Sequence, residues 1–387
     1  MRKWVRFTLS VFGILLPWSL APVCDAETTP APPPFSAKAA ELVDAASGRV
    51  LFGYQAHRKL PMASVTKLMT LYLVCRAIQQ KRANVHEYVA ISDDAFRVNG
   101  SQIWLEPGEH ISIDHLLKGV AIASANDAAY ALAEFFGGSE THFVSEMNRM
   151  AKSLGMTDTH FANPHGLDWP DHYTTASDMA KLAQAAVKIP LLMHYTSMRQ
   201  DRSVRDGKGG HLWMVNHNRL LSSYPGTDGL KTGYTTAAGY CLVATARRGA
   251  TRMVAVVLGA PSSKARFTSA QSLMSWGFEH YQTVHIANRH QQMGSVAVKQ
   301  GVANTVAAVM PQALDLTVAR GQASSIKVQV RLVPPLTAPV RRGQVIGSVL
   351  VTENGKSLAT RRLLAAQAVS KSQVLGRIFH HFLRLIG

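Results

Sequence analysis

The spacing of hydrophobic positions along this chain changes several times, and each change marks a different element. A largely apolar run over 7–20 follows Arg2, Lys3 and Arg6 and gives way to small residues up to Ala26, the layout of a secretory signal peptide. Residues 28–34, rich in Pro, Thr and Ala, predict an extended linker. Two strand-like runs, Glu41-Leu42-Val43-Asp44 and Arg49-Val50-Leu51-Phe52, flank a turn at Ser47-Gly48. Beyond Pro61 the period becomes helical: Leu68, Met69, Leu71, Leu73, Val74 and Ile78 predict a buried helix that begins near Ser64. Helical patterns recur over 115–136, 141–154, 177–186 and 264–281, and strand-like runs over 240–246 and 253–258. Late strands that pair with early ones, with helices between, describe an α/β (α+β) unit with a largely antiparallel sheet over 38–283.

From residue 284 the period falls to two. Ile326, Val328, Val330 and Leu332 alternate with Lys327, Gln329 and Arg331, and Asn354-Gly355 marks a turn between two further runs. A small all-β domain is expected over 284–369. In 370–387 the pattern is helical again: Val374, Leu375, Ile378, Phe379, Phe382, Leu383, Leu385 and Ile386 fill half of a helical wheel, opposite Arg377, His380, His381 and Arg384. Such a segment is too short and too polar to span a bilayer; it fits a membrane interface, or else covers the β-domain. The expected division is a signal peptide over 1–26, a linker over 27–37, then the two domains and the terminal helix.

Charge and cysteine content narrow the picture. The net charge is +17, and from Val284 onward 13 Lys and Arg face only Asp315 and Glu353. Nucleic acid is excluded as a partner by the export signal, which leaves an anionic membrane surface or an acidic wall polymer. Removal of the leader leaves Cys75 and Cys241, too few for a disulfide framework, so the fold must rest on its core. No HExxH or paired-cysteine spacing occurs among the 16 scattered histidines and three cysteines, and no metal or organic cofactor is implied.

Three short patterns carry candidate chemistry. Ser64-Val65-Thr66-Lys67 places a hydroxyl and an amine on one face of a helix start, where free N–H groups favour developing negative charge and a neutral amine can accept the serine proton. Ser124-Ala125-Asn126 lies in an apolar helical region, and Lys231-Thr232-Gly233 leads into a strand. Each has an ordinary explanation alone, as a helix cap, a helix serine or a turn lysine.

Together and in this order they resemble the penicillin-recognising serine acyl-transferases, and among these the low-molecular-mass D-alanyl-D-alanine carboxypeptidases. The likeness extends through Phe161-Ala162-Asn163-Pro164-His165-Gly166-Leu167, Asp228-Gly229-Leu230 before Lys231, and Trp276-Gly277-Phe278. It implies that family's fold, with an antiparallel sheet, a helical subdomain, a C-terminal β-domain and a terminal amphipathic anchor. It also implies the roles: Ser64 as nucleophile, Lys67 as base, Ser124 as proton relay, and Asn126 aligning Lys67 and substrate. Backbone N–H groups of Ser64 and Tyr234 would form an oxyanion hole, and Lys231, Thr232, Gly233 and Arg266 would hold the terminal carboxylate. The implied partners are peptidoglycan stem peptides, β-lactams as covalent inhibitors, and the periplasmic face of an inner membrane. Ala125 and Tyr234 depart from the family's frequent Gly and His, which bears on preference and acyl-enzyme lifetime. A class A β-lactamase, which needs a deacylating glutamate, is disfavoured because no Glu lies between Glu146 and Glu279. A DD-endopeptidase and a non-catalytic envelope scaffold remain as alternatives.

Overall fold

The computed structural model describes residues 31–205 and 210–372; the expected signal peptide and residues 373–387 lie outside them. A central sheet is built from β1 (Ala39–Asp44), β2 (Val50–Tyr54), β7 (Thr227–Thr235), β8 (Gly239–Arg248) and β9 (Thr251–Ala260). Its order is β2-β1-β9-β8-β7 and every pairing is antiparallel, so the early hairpin adds to the late strands as the sequence pattern expects. β8 and β9 are continuous apolar runs because both of their faces are covered. Helix α9 (Ser263–His280) covers one face with Phe267, Leu273, Met274 and Phe278. A helical layer covers the other.

That layer starts at a 3-10 turn over Ala63–Thr66, which runs directly into α1 (Lys67–Gln79). Leu68, Met69, Leu71 and Val74 are fully buried there, each contributing about 2 kcal/mol by removal from water. Around it pack α3 (Ile113–Lys118), α4 (Asn126–Gly137), α5 (Glu140–Ser153), α6 (Ala176–Ala186) and α7 (Pro190–Ser197). Ser112, Ser139, Thr175 and Ser262 cap α3, α5, α6 and α9 by accepting backbone N–H groups of His115, His142, Asp178 and Ala265. Minor elements are the β3 (Tyr88–Ala90) and β4 (His110–Ser112) pair, α2 (Asp93–Arg97), the β5 (Gln200–Asp201) and β6 (Met214–Val215) pair, and α8 (Leu220–Ser223).

The structure corrects one helix. The expected continuous helix over 115–136 is broken: α3 passes into a π turn over Gly119–Ala123, Ser124 turns left-handed (φ 61°), and α4 starts afresh at Asn126. A tertiary hydrogen bond diverts the chain, since Asn126 N donates to Ser101 O at 2.6 Å, while Ala125 N closes the π turn locally on Gly119 O at 3.0 Å.

A β-rich C-terminal domain follows α9. Strand β10 (Tyr281–Ala287) pairs with β13 (Leu314–Ala319). A six-stranded sheet joins β11 (Gln292–Lys299), β12 (Thr305–Val309), β14 (Ile326–Leu332), β15 (Leu336–Thr337), β16 (Val345–Glu353) and β17 (Lys356–Ala365). Its order is β14-β16-β17-β12-β11-β15, around a core of Val296, Val306, Ile346, Val349 and Leu363. The domain is fastened to the central sheet by Asp44, fully buried, whose carboxylate accepts from Thr283 Oγ1 and, at 2.8 Å, from Thr317 Oγ1.

Candidate active site

The cleft is built around the turn that carries Ser64. Ala63, just before it, takes a left-handed conformation (φ 49°), and two glycines let other main chains approach this turn. A Cβ on Gly166 would stand 2.1 Å from Ala63 O, and one on Gly233 would stand 2.9 Å from Ser64 N. A chain of hydrogen bonds fixes the turn from beneath. His172 Nδ1 accepts from Ala162 N at 2.9 Å, so its proton sits on Nε2 and is donated to Thr66 Oγ1 at 2.7 Å, which in turn donates to Ala63 O at 2.7 Å. Burial, then His160 and Lys67, push the His172 imidazole down to about 4, so the ring is neutral as that chain requires.

Lys67 is the first residue of α1 and is fully buried. Its Nζ lies 3.0 Å from Ser64 Oγ and also reaches Asn126 Oδ1 and the main-chain oxygen of His165. Burial holds its amine well below the usual lysine range, nearby Lys231 pushes the same way, and Asp127 opposes them. Lys231, from β7, donates to Ser124 Oγ at 2.9 Å and to Thr232 O at 3.0 Å. Burial and then Arg266 bring Lys231 down to about 7. Asn126 Nδ2 donates to Asn99 O at 2.6 Å, which fixes its amide so that the oxygen faces Lys67.

Ser64, Lys67, Ser124, Asn126 and Lys231 therefore meet in one cleft, with Thr232 buried beside them and Gly233 against Ser64. Tyr234 is 52% exposed and stacks on Tyr240, with ring centroids 4.3 Å apart. Arg266 differs from an ordinary arginine on an exposed helix start: it is buried, donates from Nη1 to Gly233 O at 3.0 Å, and lies over the Tyr240 and Phe267 rings. Its buried Nε has no partner among the described residues, so the group is not saturated.

Two contributors escaped the sequence reading. One is the His165 carbonyl, a main-chain atom that no residue type announces. The other is Asp127, fully buried, which accepts N–H groups of Ile103 at 3.0 Å, Leu105 at 3.3 Å and Ala128 at 2.8 Å. An acid inside an apolar helix start was the available signal. Among the described residues no group of three or more His, Cys, Asp or Glu is placed to hold a metal.

A strained turn carrying a serine, an adjacent buried amine, and a second serine bonded to a strand lysine define a serine acyl-transferase of the penicillin-recognising fold. Comparison with known proteins agrees. Residues 26–262 match the family described as D-alanyl-D-alanine carboxypeptidase, and 281–371 match the C-terminal domain of penicillin-binding protein 5. The chain belongs to the D-alanyl-D-alanine carboxypeptidase family. It is 36% identical to D-alanyl-D-alanine carboxypeptidase DacF of Bacillus subtilis over 87% of this chain and 86% of that one. It is 37% identical to DacC of Escherichia coli over 92% and 89% of the two chains. Penicillin-binding protein 5 of Haemophilus influenzae superposes with a TM-score of 0.79 at 31% identity, over 88% of this chain and 99% of that one.

Proposed function

We propose that this serine-type D-Ala-D-Ala carboxypeptidase of peptidoglycan works through Ser64, with Lys67 as the base. One observation carries the reading: buried Lys67 Nζ has three oxygen partners, Ser64 Oγ, Asn126 Oδ1 and His165 O. A neutral amine has two N–H bonds and one lone pair. The acceptors Asn126 Oδ1 and His165 O take the two hydrogens, which leaves the lone pair for the Ser64 hydroxyl.

In the forward step the Ser64 proton passes to Lys67 as Oγ bonds to the carbonyl carbon between two D-alanines. Negative charge collects on the carbonyl oxygen, facing the N–H groups of Ser64 and Tyr234. The C–N bond then breaks as the departing amine takes a proton relayed through Ser124, and free D-alanine leaves. Water attacks the resulting ester and gives a proton to Lys67; as the ester C–O bond breaks, Lys67 passes that proton to Ser64 Oγ, which restores both groups. Lys231, Thr232 and Arg266 hold the terminal carboxylate. In a β-lactam the same attack opens the ring without releasing a group. Deacylation is then slow, because no glutamate lies between Glu146 and Glu279 to activate water, and the first acid after His165 in the chain, Asp168, is engaged by Thr235 Oγ1 at 2.8 Å.

The basic, amphipathic residues 370–387 rest in an anionic membrane interface and hold the exported enzyme at the periplasmic side of the inner membrane. The test of the chemistry is release of D-alanine from diacetyl-L-Lys-D-Ala-D-Ala by the purified chain and by Ser64→Ala. Loss of at least about a thousandfold in the variant, with loss of covalent penicillin label, is expected. Equal rates would remove Ser64 from the mechanism.

A further inference from the structure

The cleft wall that carries His165 continues into a turn the chemistry above leaves unused. Trp169, Pro170, Asp171 and His172 form a tight turn closed by His172 N donating to Trp169 O at 3.1 Å. Asp171 is left-handed (φ 62°), and its carbonyl accepts from His160 Nδ1 at 2.7 Å. Asp168, just before, is tied to the end of β7 through Thr235. The turn is therefore rigid, yet Trp169 is 67% exposed and lines a pocket of about 270 Å³ with Pro61, Pro170 and Ala237. Large aromatic side chains held in water on a fixed turn mark a contact surface.

The charges around that indole run against the rest of the molecule. In a chain of net charge +17, Asp168 and Asp171 flank Trp169 and neither is in a salt bridge among the described residues. Asp168 lines the same pocket as Trp169, and Asp171 follows on the same exposed turn. An aromatic ring with carboxylates just before and after it in the chain suits an alkylammonium group: the ring attracts the cation, and the carboxylates supply opposite charge.

Register brings a substrate side chain here. β7 is an edge strand of the sheet, and Gly233 stands against Ser64 N. Thr235 is two residues further along, about 7 Å for an extended chain. A peptide whose scissile carbonyl is at Ser64 and whose terminal carboxylate points to Lys231 and Arg266 places the residue before D-Ala-D-Ala beside Thr235, Asp168 and Trp169. We propose that Asp168, Trp169 and Asp171 form a subsite for a free amine on the side chain of that residue. The inference rests on the carboxypeptidase reading above and adds a determinant of which stem peptide is preferred.

The test compares kcat/KM for Nα-acetyl-L-Lys-D-Ala-D-Ala, which has a free side-chain amine, with that for the Nα,Nε-diacetyl peptide, which has none. The unaltered protein should favour the free amine by about tenfold, mainly through KM, and less so in high salt. In Trp169→Ala and in Asp171→Asn the ratio should fall to within about twofold; Asn tolerates the left-handed backbone, so the turn persists. Because the ratio is taken within each variant, a general loss of folded protein cancels. Equal kcat/KM for the two peptides, or a preference that survives both substitutions, would overturn the subsite while leaving the carboxypeptidase intact. Hydrolysis of neither peptide would overturn both.

Discussion

The two domains handle charge in opposite ways. In the sheet-and-helix unit Lys67, Lys231, Asp127, Asp44 and Arg266 are buried, and each has hydrogen-bond partners. In the β-domain Lys327, Arg331, Lys356, Arg361 and Arg362 stand exposed, and the one ion pair among its described residues joins His285 to Asp315. A buried ionisable group loses its hydration and persists only with compensating partners, so its presence marks either the reaction site or, as at Asp44, a fixed junction. An exposed charge is already solvated; its clustering marks a surface that meets opposite charge.

The strongest way to break this comparison is to remove one buried partner and one exposed one. Asp127→Ala leaves the N–H groups of Ile103, Leu105 and Ala128 without their acceptor and should cost about 3 kcal/mol of unfolding free energy in urea. Arg362→Ala should stay within about 0.5 kcal/mol. Equal losses would show that burial does not separate the two classes.

A smaller effect sharpens the account of the two lysines. Lys67 must be neutral to accept a proton, and burial lowers its pKa, so kcat/KM rises as pH increases through that depressed value. Lys231 must be charged to hold the carboxylate, and with a pKa of about 7 it is protonated below and neutral above, so KM rises on the alkaline side. Lys231→Arg keeps a permanent charge and should flatten the alkaline limb, whatever it costs in geometry. An unchanged alkaline limb would assign it to another group. Least affected of all should be hydrolysis of a soluble peptide after deletion of 370–387, within about twofold of the full chain. Membrane retention of that shortened chain would refute the terminal anchor.

Much of the fold was legible because its signals are local. The helical spacing after Ser64 became α1, whose apolar face meets the core, and the alternation across Lys327 to Arg331 became β14, although Val328, Val330 and Leu332 stay exposed there, so the alternation marks a strand without marking a core face. The break at Ser124 was not legible. Residues 119–123 continue the apolar run and a lone serine does not end a helix, so the break was not announced locally, and the diversion involves a hydrogen bond to Ser101, distant in sequence. Of the site, Ser64, Lys67, Ser124, Asn126 and Lys231 could be picked out by type and order. The His165 carbonyl could not, and the burial of Arg266 depends on how α9 lies over β7 and β8, which its own sequence does not state.

The approach of Gly233 to Ser64 has a consequence for how such a protein changes over generations. A side chain at Gly233 would collide with the main-chain nitrogens of Ser64 and Val65, at 2.9 and 3.0 Å, and main chain cannot be trimmed by substitution. That position has one permitted spelling, and so the seat of the reaction is closed to gradual variation. Positions such as Trp169 and Tyr234, whose side chains face water a few residues away, can vary freely without disturbing it. New substrate preferences in this architecture are therefore expected to arise at the rim of the cleft, while resistance to an inhibitor that grips the seat must come from outside it.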